Sequence, residues 1–470
     1  MTFADKLYQG APSWLQTLML NGYAATLQRQ RFGSEFRQLM SAWDESQWWE
    51  PSRLRTLQDE RLTAIVRHAA AHVPFYQKRW SEYGVNANQV QGVADLHLLP
   101  TITKGDIRAA GHDMLAAPVA TLTHGHTSGT TGSPLSLWYD HAMVVASNAA
   151  DWRQKRWAGL ELGEWSAIFL GRVVVPVRQT RAPFWRANHV QKQLWCSSFH
   201  LSEENLSLYV AEIRRRGIQF LEGYPSTMFI VACFLNRRNE KLPMRGIFTS
   251  SETLHTTQRE AFERAFQCPV FDFYGHAERV IFAAECDRHG GKHVFDEYGV
   301  AEILDDDGLP VNDDEPGMLT GTTLWNRGMP IIRYRSGDVS VRTSARCGCG
   351  RGLQRLADVA TKAEDVVVTP DGRFISPSVL THPFKPFDQL LKSQIIQDEP
   401  DHVLVKLVPS TAFSQSQQDE LVEGLRLRLG DRMRIDTVIV ADIAAEKSGK
   451  FRWVICRVPH ASRFDWTSLQ

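Results

Sequence analysis

The sequence predicts an α/β fold, with a large N-terminal domain of mixed and parallel sheets followed by a small C-terminal α+β lid. Three observations carry this. Between residues 96 and 335, β-rich runs alternate with helical stretches, and strand–helix–strand alternation over such a length builds a largely parallel sheet. The character then changes: DHVLVKLVPS and MRIDTVIVADI read as strands around the helical QSQQDELVEGLRLRLG. The 470-residue length leaves room for two or three domains, at about 150 residues each.

The elements follow in order. Residues 1–95 read as a helical lead-in, where LQDERLTAIVRHAAAHV sets Leu57, Leu62, Ile65, Val66 and Ala69 at helical spacing and Pro74 stops the pattern. SAIFLGRVVVPV, IQFLEGYP, RGIFTSS and CPVFDFYG each read as a strand entering a loop. LSEENLSLYVAEIRRRG and TTQREAFERAFQ read as the helices between them. Residues 336–362 form a loop rich in Cys, Gly and Arg. Domain boundaries are placed at 1–362 and 363–470.

Composition narrows the function. Hydrophobic residues are 43% and charged residues 23%, which excludes disordered, collagenous and coiled-coil chains. Fifty-three basic residues balance 53 acidic ones, so no global field attracts nucleic acid or anionic lipid, although a local basic patch stays open. Seven sparse cysteines read as a reduced, cytoplasmic protein, not a disulfide scaffold. No apolar run approaches the ~18 residues of a membrane span.

The sharpest local feature is His126-Thr-Ser-Gly-Thr-Thr-Gly-Ser-Pro134 before LSLWY. Its glycines permit close backbone approach, and its amides and hydroxyls suit phosphate oxygens. It has no Walker lysine.

TSGTTGSP resembles the signature loop of adenylate-forming enzymes, the superfamily of acyl-CoA synthetases, luciferases and peptide-synthetase adenylation domains. VPFYQKR (73–79) and LPTITKGDIR (99–108) resemble opening segments of phenylacetate–CoA ligases. FDFYGHAE (271–278), RYRSGDV (333–339) and EKSGKFRWV (446–454) resemble the superfamily's later motifs in the right order. The SGK-FR ending and Ser133, where ligases usually carry lysine, resemble the CapK-type branch of capsular polysaccharide biosynthesis.

The resemblance implies roles. Ser128, Gly129, Thr130, Thr131 and Gly132 would hold the β- and γ-phosphates of ATP, and Glu278 would hold Mg²⁺. Tyr274 and Gly275 would flank adenine, with Ser251 and Glu252 in the preceding loop, and Asp338 would bind the ribose hydroxyls. Lys450 would reach the carboxylate and α-phosphate during adenylation. Gly223, Tyr224, Pro225 and Ser226 would line the acyl pocket, with His276 as a further substrate contact. Asp365 would be the hinge between domains. One stretch departs from the pattern: Thr361-Lys362 stands where the superfamily usually shows Gly-Arg, so Lys362 would supply charge to the nucleotide without a bidentate fork.

Cys286, His293, Cys347 and Cys349 form a Cys₃His set suited to structural Zn²⁺, with His289 an alternative histidine. A location beside the nucleotide site is expected for it, since Cys286 follows Glu278 closely. Together these readings imply activation of a small-molecule carboxylate by MgATP to an acyl-adenylate, then transfer to coenzyme A. The alternatives are acyl or adenylyl transfer in surface-polysaccharide biosynthesis without CoA, or a nucleotide-binding protein without turnover.

Overall fold

The computed structural model describes residues 3–127, 135–357, 359, 366–375, 377–387, 389–409, 413–443 and 452–458. A nine-stranded sheet forms its centre. Five strands are mutually parallel, in the spatial order Val270–Gly275, Gly246–Ser250, Phe220–Gly223, Ser166–Phe169, Gln193–Cys196. Antiparallel strands close both edges: Trp185–Asn188 on one side, and Phe282–Glu285, Lys292–Val294 and Arg355–Leu356 on the other. The expected α/β sheet is present, with these antiparallel borders added.

The order of the parallel strands decides where a ligand can bind. From Ser166–Phe169 the chain first builds outward to Gln193–Cys196, then returns to add Phe220–Gly223 on the other side. Sheet growth therefore reverses between Ser166–Phe169 and Phe220–Gly223. The loops leaving the carboxyl ends of such strands splay apart and leave a crevice.

Local sequence explains the intervening helices. Asp140 caps the helix His141–Trp157 by accepting from Met143 N at 2.8 Å, and Ser202 caps Glu203–Arg215 through Asn205 N. The lead-in helix Pro51–His72 buries Leu54, Leu62, Ile65, Val66 and Ala69 on one face and ends before Pro74, which starts the next helix. A buried ion pair fastens this layer: Arg153 meets Glu297 at 3.0 and 3.2 Å with neither side chain exposed, and Ser46 Oγ donates to the same carboxylate. Ionic groups so deep are tolerable only when hydrogen-bonded in this way.

One expected assignment differs. Residues 336–341, the start of the stretch read as a loop, belong to the strand Tyr334–Val341 of a three-stranded antiparallel sheet with Gly299–Leu304 and Pro316–Thr323. In SAIFLGRVVVPV, only Ser166–Phe169 is strand. Its apolar tail instead packs on the small domain: Val173 and Val177 touch that domain's core, and a Cβ on Gly171 would fall 2.8 Å from Val379 Cγ2. The run is hydrophobic because it is an interface.

The small domain has a four-stranded sheet in the order Arg434–Ile439, His402–Pro409, Leu390–Glu399, Val454–Cys456, with the helix Gln415–Leu429 against it. Trp453 is fully buried in its core and donates from Nε1 to Ser393 Oγ at 3.0 Å.

Candidate nucleotide and acyl site

Apart from the Cys/His set, the candidate residues that the structure describes gather at the carboxyl ends of the parallel strands. Gly223 ends one strand, and Tyr224-Pro225-Ser226 turns directly into the helix Pro225–Arg237. A Cβ on Gly223 would lie 2.9 Å from Met228 Cε, so glycine allows this tight strand-to-helix turn. Glu252, two residues past Gly246–Ser250, accepts from Ser226 N at 2.9 Å and ties two neighbouring strand ends together. Ser251 takes a left-handed conformation, φ +69°. Burial, then the Glu252 charge, pushes the Tyr224 hydroxyl up to about 12, so it stays protonated and can donate.

Two tyrosine–carboxylate pairs complete the edge. Tyr274 Oη donates to Asp338 Oδ2 at 2.8 Å, and Tyr334 Oη donates to Glu278 Oε1 at 2.6 Å. Both tyrosines are buried and both carboxylates are thereby oriented. Burial, reinforced by the carboxylate it meets, holds each tyrosine hydroxyl far above its ordinary range, fixing it as donor. Glu278 Oε2 is left facing His276 Nδ1 at 3.6 Å, too long for a hydrogen bond, and both His276 ring nitrogens are buried without hydrogen-bond partners among the described residues. A carboxylate with one oxygen held by a neutral donor can offer the other to a hard cation such as Mg²⁺. Tyr334 was not singled out from the sequence, although it sits inside the RYRSGDV motif.

The crevice holds a cavity of about 150 Å³, lined by Arg31, Asp151, Lys155, Leu170, Arg172 and Glu222 among others. Lys155 Nζ bridges Asp151 at 2.8 Å and Glu222 at 2.9 Å, so its charge is internally matched. Arg31 and Arg172 supply the positive character, and their proximity, after burial, lowers the Arg31 pKa. The lining includes Glu222 but none of Gly223–Ser226 or His276. On the small-domain side, Lys385 Nζ lies 3.4 Å from His382 Nδ1. Burial, then Arg172 and Arg428, pushes Lys385 down to about 8, which marks a cationic wall suited to anions.

Ser128, Gly129, Thr130, Thr131, Gly132, Lys362, Asp365 and Lys450 lie outside the described residues. Their surroundings are described. The paired strands Thr123–His126 and Ser136–Tyr139 bracket the Gly/Thr/Ser segment, with His126 opposite Ser136. Beyond Lys450, the lid sheet holds the chain through Gln394 Nε2 to Arg452 O at 2.7 Å and Ile395 N to Trp453 O at 2.8 Å.

The Cys/His set does converge. Donor atoms of Cys286, His293, Cys347 and Cys349 lie within 4.8 Å of one another. Cys286 Sγ and Cys347 Sγ are 3.7 Å apart, and Cys349 Sγ is 3.3 Å from His293 Nε2. Tetrahedral zinc, with Zn–S of about 2.3 Å, separates its sulfurs by about 3.8 Å. His289 is not part of it: its Nδ1 lies 3.3 Å from Glu285 Oε2. The expected location needs correction. Phe282–Glu285 runs antiparallel to Val270–Gly275, with Phe282 opposite Gly275, so Cys286 is carried to the end of the sheet away from Tyr274 and Glu278. There the set ties residues 347–349 to the sheet edge, beside Gly352 N, which donates to Gln47 O at 2.9 Å.

Comparison with known proteins agrees with this geometry. Among solved structures, 2-hydroxyisobutyryl-CoA ligase, in complex with 2-HIB-AMP and CoA in the thioesterification state, superposes with TM-score 0.60, covering 90% of this chain and 94% of that chain at 18% identity. The chain thus shares the fold of that ligase. Phenylacetate-coenzyme A ligase of Escherichia coli (strain K12) is 26% identical over 365 residues, 72% of this chain and 77% of that protein. The corresponding ligase of Thermus thermophilus is 25% identical over 340 residues, 67% and 72% of the two chains. Protein CapK of Staphylococcus aureus is 24% identical over 456 residues, 96% of this chain and 98% of CapK. The chain is thus similar along most of its length to phenylacetate–CoA ligases and to CapK. Residues 367–457 match the CapK C-terminal domain, so the similarity to CapK extends through the small domain.

Proposed function

We propose that the protein activates a carboxylic acid with MgATP and then transfers the acyl group to the thiol of coenzyme A. The observation that carries this reading is the pair of oriented carboxylates, Asp338 on Tyr274 and Glu278 on Tyr334, at the carboxyl edge of the sheet beside a cationic crevice. Asp338 would accept from both ribose hydroxyls while Tyr274 fixes its rotamer. Glu278 would hold Mg²⁺, which neutralises phosphate charge when bound. Ser128, Gly129, Thr130, Thr131 and Gly132 would cradle the terminal phosphates, with Ser251, Glu252 and Gly275 beside the adenine and Lys362 adding charge.

In the first half-reaction an acid oxygen attacks the α-phosphorus and pyrophosphate leaves. The transition state is strongly anionic, so preorganised positive groups carry most of the catalysis. Lys450 would supply one such charge. In the second, the thiol attacks the acyl carbon and AMP leaves. The acid would sit in the crevice lined by Arg172 and bordered by Gly223, Tyr224, Pro225, Ser226 and His276. The Lys385 and Arg172 wall would receive acceptor phosphates, and Asp365 would be the hinge of the lid. Acid-dependent pyrophosphate release tests the first step, and CoA-dependent AMP release tests the second. The full-length match to CapK favours one second reading, transfer to a hydroxyl in surface-polysaccharide biosynthesis.

The Cys/His set would hold a structural zinc, because four protein ligands leave no open position for chemistry. The purified protein is expected to carry about one zinc per chain. Cys347→Ser should lower metal content and melting temperature while changing kcat per folded molecule little. Metal analysis finding no zinc in freshly isolated protein contradicts this.

A further inference from the structure

We propose that the acid this protein activates carries a second anionic group at its far end, held by Arg31 and Arg172 in the cavity between the central sheet and the helices Ser13–Arg31 and His141–Trp157. The inference rests on the carboxylate-activation reading above and names the substrate class for it. The cavity lining includes none of Gly223–Ser226 or His276, so it is a place for the tail of the acid, while the carboxylate that reacts faces the strand ends. Its volume is about 150 Å³. A cavity of about that size takes a benzene molecule, so a tail of about six heavy atoms fits.

Charge selects the tail. The charged side chains on the cavity wall are Arg31, Lys155, Arg172, Asp151 and Glu222. Three cations less two carboxylates leave one positive charge in excess. Lys155 is buried and pairs with Asp151 at 2.8 Å and with Glu222 at 2.9 Å, so both carboxylates already have a cation. Arg31 and Arg172 hold the excess, since neither forms an ion pair among the described residues. Arg172 is held at the wall: its guanidinium lies 4.8 Å from the centre of the Trp195 ring, and Trp195 Nε1 donates to Gln193 Oε1 at 2.9 Å. Burial, then the Arg172 charge, lowers the Arg31 pKa, as expected for like charges on one wall. A second carboxylate or a phosphonate would accept from these guanidinium forks and cancel the excess. An aryl or alkyl tail would leave the two charges desolvated and unpaired, which is costly.

Acids matched in length test this: succinate against butyrate, glutarate against valerate, adipate against hexanoate, and phosphonopropionate against butyrate. With MgATP, pyrophosphate release is expected to show a kcat/KM about tenfold or more higher for the dianionic member of at least one pair. Arg31→Gln should lower that ratio by about 10–10²-fold. If this variant misfolds by circular dichroism, Arg172→Gln, at an exposed position, serves in its place. Calorimetric titration of the same acids without ATP gives a readout free of turnover: the dianionic member should bind more tightly than its partner, and the variant should lose that difference. Pyrophosphate release with monoanionic acids and no preference for dianionic ones leaves the activation reading standing and overturns this inference. So does a preference that the variant leaves unchanged, or an equal loss with both members of a pair, which would put the arginines at the reacting carboxylate. If no acid releases pyrophosphate, the activation reading falls and the calorimetry decides this one: arginine-dependent binding of a dianionic acid keeps the site, and equal or absent binding of both members overturns it.

Discussion

Replacing Glu278 by Gln is expected to slow adenylate formation by about 10²–10³-fold, the usual loss when one preorganised charged group is removed from such a transition state. The fold should survive, because the Gln side-chain oxygen can still accept from Tyr334 Oη, the contact that Glu278 makes at 2.6 Å. What disappears is the negative charge that would bind a hard cation against phosphate. Tyr334→Phe provides the contrast. It keeps the charge but frees the carboxylate to rotate, so the expected loss is smaller, about tenfold, with the apparent Mg²⁺ requirement raised. Stopped assays of acyl-adenylate across a Mg²⁺ series check both. Equal activity of Glu278→Gln and the unaltered protein would remove Glu278 from the metal site.

Lys450→Ala should have an effect of similar or larger size, but on one half-reaction only. Adenylate formation from acid and ATP is expected to fall by about 10³-fold, whereas thioester formation from supplied acyl-adenylate should be nearly unchanged. The reason is charge accounting. Attack on the α-phosphorus develops negative charge that a lysine can stabilise, while thiol attack on a preformed adenylate has AMP as a good leaving group and no pyrophosphate to expel. The chain just beyond Lys450 is anchored to the lid by the fully buried Trp453, so the substitution should leave the lid folded. Equal loss in both half-reactions would show that Lys450 is not specific to adenylation.

How much of this was legible in the sequence varied with the range of the interaction. Gly223, Tyr224, Pro225 and Ser226 could be read because a glycine that ends a strand and a proline that starts a helix are local signals. The strand Val270–Gly275 was legible for the same reason, since its apolar run ends in glycine. The pairing of Tyr274 with Asp338 was not, because it joins residues 64 positions apart on two different sheets. Nor could spacing choose between His289 and His293; the choice depends on Glu285, which draws His289 away. The position of the metal set was misread because sequence distance from Glu278 ignores the antiparallel return of Phe282–Glu285. The cavity was missed altogether. Its lining comes from a lead-in helix, the helix His141–Trp157 and three strands or loops, and no one of these segments signals it alone. The packing of Val173 and Val177 on the small domain was not legible, since apolar residues that face another domain look the same in sequence as those of a strand.

The central claim is that this chain forms an acyl-adenylate and passes it to a thiol. The most direct measurement mixes the purified protein with MgATP and a panel of aryl, fatty, hydroxy and amino acids, following pyrophosphate release with hydroxylamine and then with coenzyme A, with products identified by mass spectrometry. The account predicts that at least one acid stimulates pyrophosphate release, that hydroxylamine traps its hydroxamate, and that coenzyme A yields AMP and the acyl thioester. Acid-independent transfer of AMP to a hydroxyl acceptor, with no hydroxamate and no thioester from any acid, would contradict it.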